Sequence, residues 1–417
     1  MPLSRRSFLT LSGAGLLAAR TARASGPTAG RKFVFVLCPG GWDPTMVFAP
    51  VFNDDIDRFP TDELAQIGDL SFVDCPTRPS VRSLLEQYGP QVAFINGIEV
   101  PSVAHDVCTR WVLTGESRGV RDDWVSILAG RDPNNLLVPN LHLSGPIFPN
   151  DYASASVRVG SDGQLVGLLD GTSLSQADLV TTPHSSGAHA LENALLAKRL
   201  ARWEASRGGA QAARYAEMER LAQSRAESLL PHADMLRGDT SDLAQALSIA
   251  ASSIASGLSR TSIVAYGLGG NGQWDTHSHN DSQDMMFEEL FSSLGGLLAE
   301  LSSTPGESEA TLLDETVVVV LSEMGRTPQK NGAGGKDHWT WTSALLIGGG
   351  IQGGRAFGEF DADMLGRPLD LASGEVSSSG VSMLPGHVGA TILALADVDP
   401  GDYMSPEEGE PIAALLP

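Results

Sequence analysis

Five stretches of the chain share one pattern: a run of β-branched and aromatic residues that stops at glycine or at a polar residue. They are RKFVFVLCPGGWDP (Arg31 to Pro44), VAFINGIEV (Val92 to Val100), SIVAYGLGGNGQWDTH (Ser262 to His277), TVVVVLSEMG (Thr316 to Gly325) and SALLIGGGIQGG (Ser343 to Gly354). Apolar runs without polar alternation suit strands covered on both faces, so each predicts a strand of a largely parallel sheet. Helix-period segments lie between them, among them SVRSLLEQYG and FEELFSSLGGLLAELSS (Phe287 to Ser303), and TILALADV (Thr391 to Val398) follows the last. Strand and helix in alternation predict a doubly wound α/β fold. From Gly187 to Ser259 the rhythm changes to Ala-, Leu-, Glu- and Arg-rich helical sequence broken by Gly208-Gly209 and Pro231. This predicts a helical insertion over about 187–240 in a single domain spanning 25–417, followed by one helix that packs on the sheet. Residues 131–186 read as short strands and loops.

The N-terminus stands apart from this pattern. SRRSFLTL (Ser4 to Leu11) precedes a short apolar stretch and Ala22-Arg23-Ala24, the layout of a twin-arginine export signal over residues 1–24. It predicts a partner in the twin-arginine export machinery and a periplasmic or secreted protein. Removing the segment deletes Arg5, Arg6, Arg20 and Arg23 and no acids, so the formal charge of -22 becomes -26. A nucleic-acid partner is excluded on this ground, because phosphate backbones call for basic patches. Beyond the signal no segment approaches the ~18 apolar residues of a membrane span, so no transmembrane anchor is expected. Cys38, Cys75 and Cys108 are odd in number and lack metal-ligand spacing, and they read as small buried residues rather than a bridge.

In open α/β sheets ligands gather at the carboxyl ends of the strands. The polar residues just beyond the apolar runs are Asp43, then His105 and Asp106, then Asp275 and His277, then Glu323, with Asp337 and His338 in the loop that follows. All are oxygen or imidazole donors. Taken singly, WDTH or Asp337-His338 fits a turn cap and a surface histidine equally well; taken together, carboxylates and imidazoles from four strand ends point to a shared divalent ion. Four lysines occur in the whole chain, and two of them, Lys330 and Lys336, flank Arg326 in this same glycine-rich loop. Arg326 and Lys336 supply the charge that a transferring anion needs, or else brace the loop locally.

The motifs GGWD, H-x8-T-G (His105 to Gly115), WDTH, SEMGRTP, and GKDHW with LLIGGGIQGG resemble the DUF1501 family of exported bacterial proteins, relatives of the alkaline phosphatase and sulfatase superfamily. The resemblance implies an alkaline-phosphatase-like α/β/α sandwich, and HVGATILALADVDP (His387 to Pro400) is similar to the closing segment of sulfatases. It implies a metal site of Asp43, Asp275, His277, Glu323, Asp337 and His338 holding one or two divalent ions (Zn, Mn or Ca). Met324 stands where the superfamily has a histidine, with Asp337 compensating. The superfamily nucleophile lies ten residues before the glycine of the T-G pair, which here is His105, while Ser102, Cys108 and Thr109 are off register; the resemblance then implies either a catalytic histidine that binds the metal, with no covalent intermediate, or the loss of catalysis. The function implied is hydrolysis of a phosphate or sulfate ester on a small-molecule or polymeric anionic substrate. The alternative is a catalytically degenerate member serving as a metal-containing binding or structural protein of the cell surface.

Overall fold

The structure is a computed structural model that describes residues 30–136, 138–160, 164–169, 186–205, 209–267 and 273–417; the export signal expected over residues 1–24 lies outside them. Its strands are β1 (Lys32–Leu37), β2 (Glu63–Ile67), β3 (Leu70–Asp74), β4 (Val92–Glu99), β5 (Asn140–His142), β6 (Ser156–Arg158), β7 (Thr261–Ala265), β8 (Thr316–Leu321), β9 (Gly325–Arg326), β10 (His338–Trp339), β11 (Trp341–Gly348) and β12 (Arg355–Phe357). Eight of them form one sheet in the order β12-β4-β11-β8-β1-β7-β5-β6, while β2–β3 and β9–β10 are separate two-stranded ribbons. β1 runs parallel to both β7 and β8, with Phe35 opposite Ile263 on one side and Val319 on the other. The five apolar runs all enter the main sheet.

One strand departs from the parallel expectation. β11 is antiparallel to both neighbours, β4 and β8. Parallel strands need a crossover, usually a helix. Between β8 and β11 the chain makes only the β9–β10 ribbon, so it turns back instead.

Alternate residues of the strands serve opposite faces, as the two-residue period requires. Val34, Val36, Val318 and Val320 face a core shared with α1 (Pro79–Tyr88) and two helices later in the chain. Phe33, Phe35, Val317 and Val319 face a second core shared with α2 (His105–Thr114) and α3 (Trp124–Gly130). The chain continues through α4 (Gln164–Leu169), α5 (Ser186–Ala205) and α6 (Gly209–Leu229). α7 (Leu243–Ala255) and α8 (Gln283–Ser303) complete the first face, and α9 (Pro385–Leu395) completes the second. The result is a three-layer α/β/α sandwich around a mostly parallel sheet. Each wholly buried valine of β8 contributes about 1.5–3 kcal/mol through loss of apolar surface to water.

Cys38, Cys75 and Cys108 are buried and free, as expected. Among the described residues no helix is long and apolar enough to cross a membrane. β1 sits at the centre of the sheet between β7 and β8, so the loops leaving these three strands converge at one edge.

Candidate functional site

Each strand end places its polar residues for a local reason. After β1, Gly40 and Gly41 both take positive φ, and a Cβ on Gly40 would lie 2.5 Å from the backbone nitrogen of Asp275. Glycine is what lets the first loop touch the third. His105 is the first residue of α2, beyond β4, and Glu323 lies two residues past β8. His338 opens β10, where pairing with β9 sets it opposite Arg326.

Three imidazoles are then oriented in the same sense. His105 Nδ1 lies 2.7 Å from Glu323 Oε1, His277 Nδ1 lies 3.1 Å from Asp337 Oδ1, and His338 Nδ1 lies 2.8 Å from the carbonyl oxygen of Val103. Carboxylates and carbonyls only accept, so each Nδ1 donates and each neutral ring keeps its lone pair on Nε2. Those Nε2 atoms gather around Asp275. His277 and His338 Nε2 are 2.9 Å apart and each is 3.3 Å from Asp275 Oδ1, while His105 Nε2 is 3.5 Å from Asp275 Oδ2. His105 Nε2 is buried and has no hydrogen-bond partner. Two acceptor nitrogens 2.9 Å apart repel unless a proton or a cation lies between them. Tetrahedral zinc with donor distances near 2.0–2.1 Å spaces its ligands by roughly 3.3 Å; His105, Asp275 and His338 offer ligand atoms all within 4.8 Å of one another, so the chemistry and spacing of these three fit a divalent ion, with His277 Nε2 beside them.

The electrostatics agree. The hydrogen bond to Glu323 raises the pKa of His105, against the opposing effect of burial. Burial would raise the Asp275 carboxyl, but the Arg326 guanidinium, with its nitrogen 2.6 Å from Oδ1, outweighs it and holds Asp275 below its usual range. Asp337 is lowered by Asn331 and by His277.

Several expected ligands take other positions. Glu323, wholly buried, accepts from His105 and from the Gly40 amide at 2.6 Å, and stands behind the imidazole rather than beside the Nε2 atoms. Asp337 stands behind His277 in the same way. Asp43 is committed elsewhere: it caps the turn Pro44–Met46, accepting from Thr45 N at 3.0 Å and Thr45 Oγ1 at 2.7 Å, with Asn280 Nδ2 at 2.9 Å and Lys336 Nζ at 2.7 Å on its other oxygen. Four partners fill the lone-pair positions of one carboxylate. Burial would raise the pKa of Asp43, yet Lys336 overcomes this and lowers it.

The two cations expected to meet an anion are both 0 % exposed. Lys336 faces Asp43 and Thr45. Arg326 binds the carbonyl oxygens of Gly40, Gly41, Trp274 and Lys336 as well as Asp275, and so ties three loops together. The bracing role is the one this geometry displays.

Three contributors were not read from the sequence. Gln283 receives the Asp43 amide at 2.7 Å and donates to Gly41, Trp274 and Thr276, Asn280 links Asp43 to Thr276, and the Val103 carbonyl orients His338. The polar run SHNDSQ after WDTH was the available signal for the first two; a backbone carbonyl leaves none.

A cavity of about 1330 Å³ borders the donor set, with Asp275, Thr276 and Ser278 on its wall. No curated protein matches the chain in sequence. Among solved structures, it is similar to the lipoteichoic acid synthase LtaP from Listeria monocytogenes, with 8% identity over 95% of this chain and 79% of that one and a TM-score of 0.42. It is similar to the PsFucS1 sulfatase from Pseudoalteromonas sp., with 14% identity over 100% of this chain and 77% of that one and a TM-score of 0.34. Ps i-CgsB in complex with k-i-k-neocarrahexaose gives 11% identity over 91% and 74% of the two chains and a TM-score of 0.34. Likenesses this distant decide nothing about the site. The family model described as "Protein of unknown function (DUF1501)" matches residues 161–413, which takes in Asp275, His277, Glu323 and His338, and the chain belongs to the DUF1501 family.

Proposed function

We propose that this protein is a metal-dependent hydrolase of phosphate or sulfate esters, exported through the twin-arginine route, with one divalent ion held by His105, Asp275, His277 and His338. The observation that carries the reading is the common orientation of the three histidines: each Nδ1 is occupied by an acceptor and each Nε2 is turned toward Asp275. Metal-bound histidines are held in this way by acceptors on the far ring nitrogen, which fix the tautomer and raise ligand basicity. Three imidazoles and one carboxylate favour Zn over Ca, whose preferred donors are oxygens. One ion rather than two follows from Asp43, whose oxygens are filled by Lys336, Asn280 and Thr45.

When bound, the ion would act as a Lewis acid on an ester oxygen. The protein's own part is to hold the donors. Glu323 fixes His105, Asp337 fixes His277, and Arg326 anchors Asp275. The adjoining cavity of about 1330 Å³ accommodates a small or a polymeric ester.

The test is elemental analysis of protein exported and purified without chelators, followed by turnover of aryl phosphates and aryl sulfates. About one equivalent of metal, and turnover that His338→Ala abolishes, is the expected result. Protein without stoichiometric metal overturns the metal centre. Metal without turnover supports a second reading, a metal-containing binding or structural protein of the cell surface. The commitment of both Arg326 and Lys336 to internal partners favours that alternative.

A further inference from the structure

A second cavity lies far along the sheet from the donor cluster and shares no lining residue with it. It is a groove of about 360 Å³ between α6 and the β6 edge of the main sheet, where Leu165 of α4 also contributes. Its floor is apolar and continuous with the main core: Leu229 belongs to that core, and Val157, Leu165 and Ala226 pack against it. Its rim carries Met218, 56% exposed, and Leu221, 36% exposed. One charged side chain, Arg225, lines this surface.

Arg225 is placed at a cost. Its Nε is buried without a hydrogen-bond partner, and among the described residues no carboxylate pairs with it. Burial pulls its pKa down with nothing opposing the effect. The side chain as a whole is only partly buried and lines the groove, so its guanidinium charge is presented there with no carboxylate among the described residues to neutralise it. The planar guanidinium matches a carboxylate in a two-point contact, and the carbon-lined groove beside it suits an alkyl chain. The volume is in the lower part of the roughly 300–1,000 Å³ range of small-molecule sites. In a chain of net charge -22 the general field does not draw anions, so a local, specific cation has to.

We propose that the groove between α6 and β6 binds a single-chain carboxylate amphiphile, a fatty acid, with the carboxylate on Arg225 and the alkyl chain along Val157, Leu165, Met218 and Leu221. The occupant is small and apolar with one negative end, and neither a polyanion nor a polar sugar matches the lining.

The test is titration of the full-length protein with cis-parinaric acid, a fluorescent fatty acid, and with its methyl ester. Saturable binding of the acid, at least tenfold tighter than the ester, is expected. Arg225→Gln should remove that preference, and Ala222→Trp, which fills the groove, should abolish binding of both, with circular dichroism and metal content unchanged in each variant. Three outcomes overturn the proposal: no saturable binding to the wild type, equal binding of acid and ester, or unaltered binding in Arg225→Gln. Concentration-dependent self-association that Ala222→Trp abolishes, without fatty-acid binding, would assign the groove to a second copy of the chain. None of these readouts depends on hydrolysis, so the catalytic reading stands or falls separately.

Discussion

Lys336 Nζ lies 2.7 Å from Asp43 Oδ2, and neither side chain reaches solvent. A buried pair that loses one member leaves an uncompensated charge at a cost of roughly 3–5 kcal/mol. Lys336→Met is therefore expected to lower unfolding free energy by about that amount, measured by urea denaturation. If the variant instead unfolds like the wild type but binds substrate poorly, Lys336 serves the substrate and not Asp43.

Glu323 touches the proposed centre only through His105. Glu323→Gln keeps an acceptor for Nδ1 but removes the charge behind the imidazole. Losses of this kind reduce metal affinity by about 10–100-fold, and competition with a chromogenic chelator should find a drop in that range. Affinity equal to the wild type would show that the carboxylate does not tune His105.

Gly40 has φ +122 and its position for a Cβ is 2.5 Å from Asp275 N and 2.9 Å from the Trp274 carbonyl carbon. Gly40→Ala is thus strained twice, by its backbone conformation and by contact with the loop that carries Asp275. A loss of about 1–3 kcal/mol is expected, together with weaker metal retention. Gly332→Ala, in open space in the Arg326–His338 loop, is the control and should change neither. A stable, fully metallated Gly40→Ala protein would mean that the two loops are less tightly coupled than their spacing implies.

At the opposite edge of the sheet, Lys32 Nζ bonds Glu315 Oε2 at 2.9 Å. Burial would raise the pKa of Glu315, but Lys32 and the amides of Ser308 and Glu309 bring it down to about 2. A carboxyl depressed in the folded state stabilises above its unfolded pKa, and that stabilisation is lost as pH falls toward the folded value. Wild type should exceed Glu315→Gln by about 1–2 kcal/mol at pH 7, after allowance for solvent screening, and the gap should close between about pH 5 and pH 2. A gap that does not change with pH would place its origin in packing rather than ionisation.

Much of this architecture was legible in the residues. TVVVV has no polar alternation, and β8 is buried on both faces; the four other runs likewise became strands of the main sheet. The direction of β11 was not legible, because an apolar run reads the same for parallel and antiparallel neighbours. Only the absence of a helix between β8 and β11 settled it.

The residues at the strand ends were likewise nameable from sequence, since chain order and hydrophobic period determine which side chains leave the sheet at one edge. His105, Asp275, His277 and His338 were all on that list, and so were Glu323, Asp337 and Asp43. Sequence carries residue type and spacing along the chain, and those do not say which nitrogen of an imidazole faces which neighbour. The tertiary structure decided that Glu323 and Asp337 stand behind histidines, that Asp43 and Lys336 satisfy each other, and that Arg326 ties loops together. These assignments depend on distances of about 3 Å between residues up to several hundred positions apart, where a carboxylate filled by a lysine, an asparagine and a threonine has no lone pair left to offer an ion.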